Sequence, residues 1–445
     1  MTMGLVQHLL PGYWEPDVAF TALFAEESHA VWFDHHGERG TGVSYLAQGT
    51  PLVLDSANWE DVLRKAHLDR ALPSGVALGE VPLGLVLVMP YELAATTLEL
   101  QLPGAEEAVP IALAIDRVLE LDHRSKSATL YGLGDQDDPE WLEWVSWVER
   151  CLRDAAPLPE PVLAQAQSLA WRDSTKRYCE IIREAQSAIR EGDAYQLCVT
   201  TQITVLGAVD PIVLHRVMRR DNPTHHQALL RLGEISIVSA SPETFINLAI
   251  DRTLSTRPIK GTRPRGATET EDEALAHELL SNDKERAENL MIVDLMRNDL
   301  SRVCEVGSVS VPELLSVETY TSVHQLVSTV SGTLLADADL MDVIRWTFPA
   351  GSMTGAPKHK AVQLVAAWEK EPRGYYSGAF GVWRADGSAF LAMTIRSAVV
   401  GHTSLTLGVG GGITALSDPA AEIAEVGVKA LPFLRALGLQ QVQYS

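Results

Sequence analysis

Lysine 260 stands in the run Arg257-Pro258-Ile259-Lys260-Gly261-Thr262-Arg263-Pro264-Arg265-Gly266. A lysine between a proline-fixed turn and a glycine has a constrained backbone and a free amine at its tip, which suits a nucleophile. A solvated basic turn has the same composition, so this stretch alone leaves both readings open. Glu285 and Glu288 stand three residues apart, as do Glu422 and Glu425. On a helix that spacing puts both carboxylates of a pair on one face. Two such faces opposed make an all-oxygen site, and hard oxygen donors without histidine or cysteine partners favour Mg²⁺. Ordinary acidic helix faces share the spacing. Arg396 offers a two-pronged donor for a carboxylate. The glycines Gly410, Gly411 and Gly412, and the pair Thr354-Gly355, would let backbone N–H groups approach an anionic oxygen; a tight bend would use a glycine run equally well.

These residues need elements to hold them. Residues 1 to about 155 alternate apolar and polar runs, such as Gly42 to Ala47 and Val81 to Met89, and read as strands with turns. A helix closes this part, capped by Asp138 with Pro139 first, and carrying Trp141, Trp144, Val145, Val148 and Leu152 at helical spacing. That stripe reads as core. The proline-rich stretch from Asp154 to Pro161 reads as a linker. A second helix is predicted from the cap Ser174 to Gly192, feeding a strand from Tyr195 to Val205. Acidic helices are predicted over about 268–300, and further helices near 338–347, 357–370 and 419–437. Strand groups mix with helices without a regular βαβ alternation, which favours an α+β class over a doubly wound sheet.

Composition excludes several roles. The chain has 445 residues, with 36 Lys+Arg against 58 Asp+Glu and a formal net charge of −22. Such a surface repels phosphate backbones and anionic membranes, so neither nucleic acid nor membrane is an expected partner. Residues 1–10 lack a basic stretch followed by an apolar one, and no segment is long enough to span a bilayer, so a cytoplasmic protein is expected. Cys151, Cys179, Cys198 and Cys304 form no C-x-x-C pair and none lies in a Gly-x-Cys-x-Gly turn. A zinc site, a disulfide framework and a glutaminase nucleophile are therefore not expected here.

Several motifs follow Lys260 and precede it in one order: Ser241-Pro242-Glu243, Glu285-Arg286-Ala287-Glu288-Asn289, Gly351-Ser352-Met353-Thr354-Gly355-Ala356-Pro357-Lys358, Tyr376-Ser377-Gly378, Thr394-Ile395-Arg396, and Gly410-Gly411-Gly412-Ile413 with Glu422, Glu425 and Lys429. In this order the chain resembles the chorismate-utilising enzymes of the anthranilate synthase and aminodeoxychorismate synthase component I family, densely over about 170–435 and loosely before. Anthranilate synthases carry Pro-Ile-Ala-Gly-Thr where this chain has Pro258-Ile259-Lys260-Gly261-Thr262; aminodeoxychorismate synthases carry the lysine.

The resemblance implies two antiparallel sheets packed face to face with helices outside. It implies that residues 1–155 form an N-terminal segment packing into the shared core, and that 165–440 form the chorismate-binding catalytic region. Glu288 and Glu425 match the family's principal Mg²⁺ ligands, Glu285 and Glu422 its supporting carboxylates. Arg396 and Tyr376 match residues that hold the enolpyruvyl carboxylate, and Lys429 one close to substrate and metal. Glu243 matches a general acid, Lys260 a nucleophile that adds to ring carbon 2, and His324 a histidine near the ring, although a lone histidine is more often structural. Gln196 stands where the isochorismate and salicylate synthases place a water-activating lysine, so water chemistry is disfavoured. Cys198 departs from a common asparagine. Ala25-Glu26-Glu27-Ser28 matches poorly the Leu-Leu-Glu-Ser segment of tryptophan-inhibited anthranilate synthases, so tryptophan feedback is not expected. The expected activity is amination of chorismate by ammonia from a separate glutamine amidotransferase subunit, giving 4-amino-4-deoxychorismate. The rivals are an anthranilate synthase or aminodeoxyisochorismate-forming activity, and a non-catalytic scaffold binding chorismate or the glutaminase.

Overall fold

The structure, a computed structural model, describes residues 4–35, 42–163, 168–320 and 323–439. Two sheets organise it. A twelve-stranded sheet runs Gly4–Leu9, Ser127–Gly134, Arg117–Asp122, Val43–Gln48, His29–His35, His226–Leu232, Ile235–Ser241, Ser397–Val400, Ser404–Ile413, Gln196–Leu206 and Gly355–Ala356, with Ser168–Trp171 also pairing to Gln196–Leu206. A ten-stranded sheet runs Ile259–Pro264, Val323–Thr333, Thr253–Arg257, Thr244–Leu248, Ala389–Met393, Ala379–Arg384, Gly84–Met89, Ile111–Ile115 and Thr50–Pro51, with Ser310–Thr319 on Val323–Thr333. Strands from early in the chain lie in both: His29–His35 pairs antiparallel with His226–Leu232, and Gly84–Met89 with Ala379–Arg384.

Alternation along each strand sorts the layers. In Gly84–Met89, Leu85, Leu87 and Met89 pack with apolar residues of the helices Trp59–Leu68, Asp283–Leu300 and Leu340–Thr347. Val86 and Val88 point the other way, into a core shared with Val31, Leu230 and Ile237 of the first sheet. Burial on both faces explains why this strand is apolar at nearly every position. The opposite face of the first sheet is covered by the helices Pro139–Arg153, Thr175–Arg190 and Pro419–Ala436 through Trp141, Val148, Ile181, Ile182, Val426 and Phe433. Helices therefore lie outside two facing antiparallel sheets, the α+β class expected. Each fully buried large apolar side chain contributes roughly 1.5–3 kcal/mol, so these cores can hold a few strained residues in place.

The helix ends follow their caps. Asp138 accepts from the Glu140 N–H and Ser174 from the Arg177 N–H. Asn282 ends one acidic helix, Glu269–Ser281, and caps the next, Asp283–Leu300, by accepting from the Glu285 N–H. Of the two readings left open for Lys260, the solvated turn is not the one adopted: the lysine lies in the strand Ile259–Pro264, paired to Val323–Thr333 with a register shift between Ile259 and Thr262. The pairing partner is distant in sequence, so local composition could not supply it. Among the described residues no helix is long and apolar enough to cross a membrane.

Candidate active site

The chain passes between the sheets at two neighbouring points. Residues 241–244 lead from Ile235–Ser241 into Thr244–Leu248, and residues 393–397 return from Ala389–Met393 to Ser397–Val400. Glu243 and Arg396 sit at these crossings. Backbone bonds tie the crossings together, Met393 N–H to Glu243 O at 3.0 Å and Ala240 N–H to Arg396 O at 2.9 Å. Arg396 has φ +46°, a left-handed conformation uncommon for a side chain of its size. Burial pushes the Glu243 carboxyl above its usual range, while the nearby Ser352 hydroxyl and the charges of Lys260, Arg396 and Lys429 oppose that shift. Burial lowers the Arg396 guanidinium, with Glu243 opposing.

Lys260 reaches this cluster from the second sheet, and Gln196 and Gly412 from the first. A side chain at Gly412 would overlap Gln196 Nε2 and stand 3.4 Å from Lys260 Nζ. The glycine thus leaves the space in which the amine and the amide meet. Gln196 is 2% exposed, and its Oε1 has no hydrogen-bond partner. Next to Lys260, Gly261 has φ +86°, and a Cβ there would stand 3.0 Å from Glu285 Oε2. Gly355 also has positive φ, +138°, and its missing side chain lets Gln196 O lie against it. Thr354 O accepts from Cys198 N–H at 2.8 Å, which fixes this turn against the Gln196–Leu206 strand. Tyr376 is buried with its ring against Gly408, and burial raises its hydroxyl pKa. Lys429 Nζ donates to Gly410 O at 2.8 Å, and a Cβ at Gly411 would stand 3.2 Å from Glu422 Oε2.

The helices Asp283–Leu300 and Pro419–Ala436, which carry the paired glutamates, oppose one another here. Glu288 feels the charges of Glu285 and Glu422, and burial is the main cause that raises its carboxyl, against Lys260 and Lys284. Its Oε1 is buried without a hydrogen-bond partner. At Glu425 burial is outweighed by Lys429, Lys284 and Lys260, which leaves its carboxyl below the usual value. Each carboxylate has a basic neighbour: Arg263 to Glu285 at 3.4 Å, Lys284 to Glu288 at 3.8 Å and to Glu422 at 3.2 Å, Lys429 to Glu425 at 2.8 Å. Among the described residues no three carboxylates, imidazoles or thiols stand together as a metal-binding group.

His324 makes its contacts elsewhere. Its ring nitrogens bond Thr319 Oγ1 at 2.8 Å and Asp272 Oδ1 at 2.9 Å, and Asp272 in turn pairs with Arg265. Sequence reasoning also missed a buried support. Arg373 pairs with Glu369, donates to Met353 O and Cys198 O, each at 2.8 Å, and stacks over Tyr91 at 4.4 Å. Glu369 Oε1 accepts from Thr200 N–H at 2.7 Å. One ion pair thereby joins the Gln196–Leu206 strand, the Gly351–Met353 turn and the segment leading to Tyr376. The i,i+4 spacing of Glu369 and Arg373 was the available signal, and the end of the helix between them obscured it.

Two facing sheets thus meet at a cluster of one carboxyl, one amine and one guanidinium, flanked by the helices Asp283–Leu300 and Pro419–Ala436 with their paired carboxylates. The chain belongs to the chorismate binding enzyme family, whose model matches residues 27–435. It is 38% identical to an aminodeoxychorismate synthase of Streptomyces pristinaespiralis, over 95% of this chain and 64% of that protein. It is 36% identical to an aminodeoxychorismate synthase of Streptomyces griseus, over 98% of this chain and 64% of that one. The chain thus spans under two thirds of the length of these relatives. Its fold superposes on anthranilate synthase component I from Streptococcus pneumoniae with a TM-score of 0.75 at 25% identity, covering 96% of this chain and 98% of that one.

Proposed function

We propose that this chain replaces the 4-hydroxyl of chorismate with ammonia, as an aminodeoxychorismate synthase component I, and that Lys260 is its nucleophile. The observation that carries this reading is the meeting of Lys260, Gln196 and Gly412 within electrostatic reach of Glu243. The neutral Lys260 amine adds to ring carbon 2, the ring double bonds shift, and the bond from carbon 4 to oxygen breaks. Glu243, whose carboxyl burial shifts toward the protonated form, donates to the departing oxygen, which leaves as water. Ammonia then attacks carbon 4, the double bonds shift back, and the bond from carbon 2 to Lys260 breaks. The pyruvyl group is retained. Arg396 and Tyr376 would hold the enolpyruvyl carboxylate, with Lys429, Thr354, Gly355 and the N–H groups of Gly410 to Gly412 around the remaining oxygens. Gln196, standing where water-using members of the family carry a lysine, cannot itself act as the base that activates water. His324, with both ring nitrogens engaged, would act on the site through the Ile259–Pro264 strand it adjoins.

Mg²⁺ suits the acidic helices. Glu288 Oε1 is a buried acceptor without a donor, and Glu285, Glu422 and Glu425 add only hard oxygens. Glu288 and Glu425 would hold the ion with Glu285 and Glu422 in support, and when bound it would supply positive charge to a substrate carboxylate. Ammonia would come from a glutamine amidotransferase outside this chain.

An anthranilate synthase activity is the second reading, favoured by the likeness to the Streptococcus pneumoniae structure. Product mass separates the two. With chorismate, ammonium and Mg²⁺, aminodeoxychorismate is expected, with an adduct on a Lys260 peptide after rapid quench. Lys260→Ala is expected to slow the product roughly 10²–10⁴-fold, and Lys260→Arg to fail equally, because a guanidinium stays protonated. Anthranilate and free pyruvate from the wild type, or full activity of Lys260→Arg, would overturn the assignment.

A further inference from the structure

Lys284 lies in the first turn of the Asp283–Leu300 helix, where the positive end of the helix dipole disfavours a cation. Its surroundings compensate. Nζ is 3.2 Å from Glu422 Oε1 on the opposing helix and 3.8 Å from Glu288 Oε1 one turn along its own. Both carboxylates are nearly buried, at 3% and 7% exposure, while the Lys284 side chain is 43% exposed. Without this ammonium, two desolvated anions would face each other across the helices.

The other basic partners of the four glutamates are anchored outside the quartet. Lys429 also donates to Gly410 O at 2.8 Å, and Arg263 also pairs with Glu278 and donates to Thr262 O at 3.0 Å. Lys284 has its one described hydrogen bond, and both its ion pairs, within the quartet. Its half-exposed, flexible stem can carry the ammonium into water without disturbing another contact. From this placement we propose that Lys284 is a resident counter-ion, which joins the acidic helices when no divalent cation is bound and is displaced into solvent when one binds. This rests on the proposal that the four glutamates bind Mg²⁺. Divalent-ion binding is then an exchange of one cation for another.

Reductive methylation of the wild-type protein, read by peptide mass, tests the displacement directly. Lys284 is expected to be modified slowly in chelator and several-fold faster in saturating Mg²⁺, whereas an unchanged rate would overturn the proposal. Mn²⁺ titration followed by electron paramagnetic resonance provides a second arm. Lys284→Met is expected to bind Mn²⁺ about three- to tenfold more tightly than wild type, the scale of one or two partly exposed ion pairs, with Lys284→Arg within about twofold of wild type. Equal, measurable affinities for wild type and Lys284→Met would sink the role of Lys284 and leave the metal site standing. Absence of Mn²⁺ binding in every form would remove the metal site and the counter-ion role together.

Discussion

At the scale of single residues, burial and charge act against one another on Glu243. A carboxyl whose folded pKa lies above its unfolded value contributes stability at low pH that is lost as pH rises through the folded pKa. Glu243→Gln is therefore expected to raise thermal stability at neutral and alkaline pH relative to wild type, while lowering chorismate turnover about 10²–10⁴-fold. A variant less stable than wild type at pH 8, or one that turns over normally, would remove the buried-acid role. Gly412 gives a steric counterpart. A methyl group there overlaps the Gln196 amide and stands 3.4 Å from Lys260 Nζ. Gly412→Ala is expected to keep its circular dichroism spectrum and lose at least about tenfold in kcat/KM, roughly 1.4 kcal/mol of transition-state binding. Wild-type kinetics would show that this space is not used.

Elements are held to one another by a smaller set of buried polar groups. Glu92, in the short turn Tyr91–Leu93, accepts from the N–H of Arg373 at 2.7 Å and of Gly374 at 3.1 Å, and so clasps the segment that leads to Tyr376. Burial pushes its carboxyl up to about 7, despite those donors and the Arg373 charge. The folded state then binds more protons than the unfolded one between about pH 4.5 and 7, so stability falls across that window and levels off above it. Glu92→Gln is expected to flatten this slope, gaining on wild type by on the order of 3 kcal/mol between pH 5 and 8. Urea denaturation at a series of pH values would measure it, and parallel curves for the two proteins would contradict it. Much at this scale was legible locally. The caps Asp138 and Ser174 begin helices because proline or polar spacing announces them. The strand around Lys260 was not legible, because its partner Val323–Thr333 is some 60 residues on and the pairing contains an irregular register.

For the whole molecule, the thiols bear on where nitrogen enters. Cys198 and Cys304 are buried, and burial raises both thiols, Cys304 to about 11. An activated nucleophile needs the opposite shift. Cys151 and Cys179 lie half-buried on helices, and Cys151 packs against the core outside the first sheet. The purified 445-residue chain is therefore expected to use ammonium and not glutamine, with turnover rising as pH approaches the ammonia pKa. Glutamine-dependent product from this chain alone would contradict that expectation.

By itself the sequence determined the chemistry available: one lysine beside a glycine, paired carboxylates at helical spacing, a forked cation, and a strongly negative net charge. It also determined the class of fold, since strand and helix periodicities are properties of neighbouring residues. Tertiary structure decided which of these groups meet. Glu243 and Arg396 are 153 residues apart in number and adjacent in space, because both lie where the chain crosses from one sheet to the other. His324 carried the same motif-level signal, yet packing bound its ring to Thr319 and Asp272. Lys284 and Arg373 carried almost none, and opposed helices and a buried ion pair brought them beside the site. Contacts between residues far apart in the chain depend on sheet order and helix packing, which no local window of sequence contains.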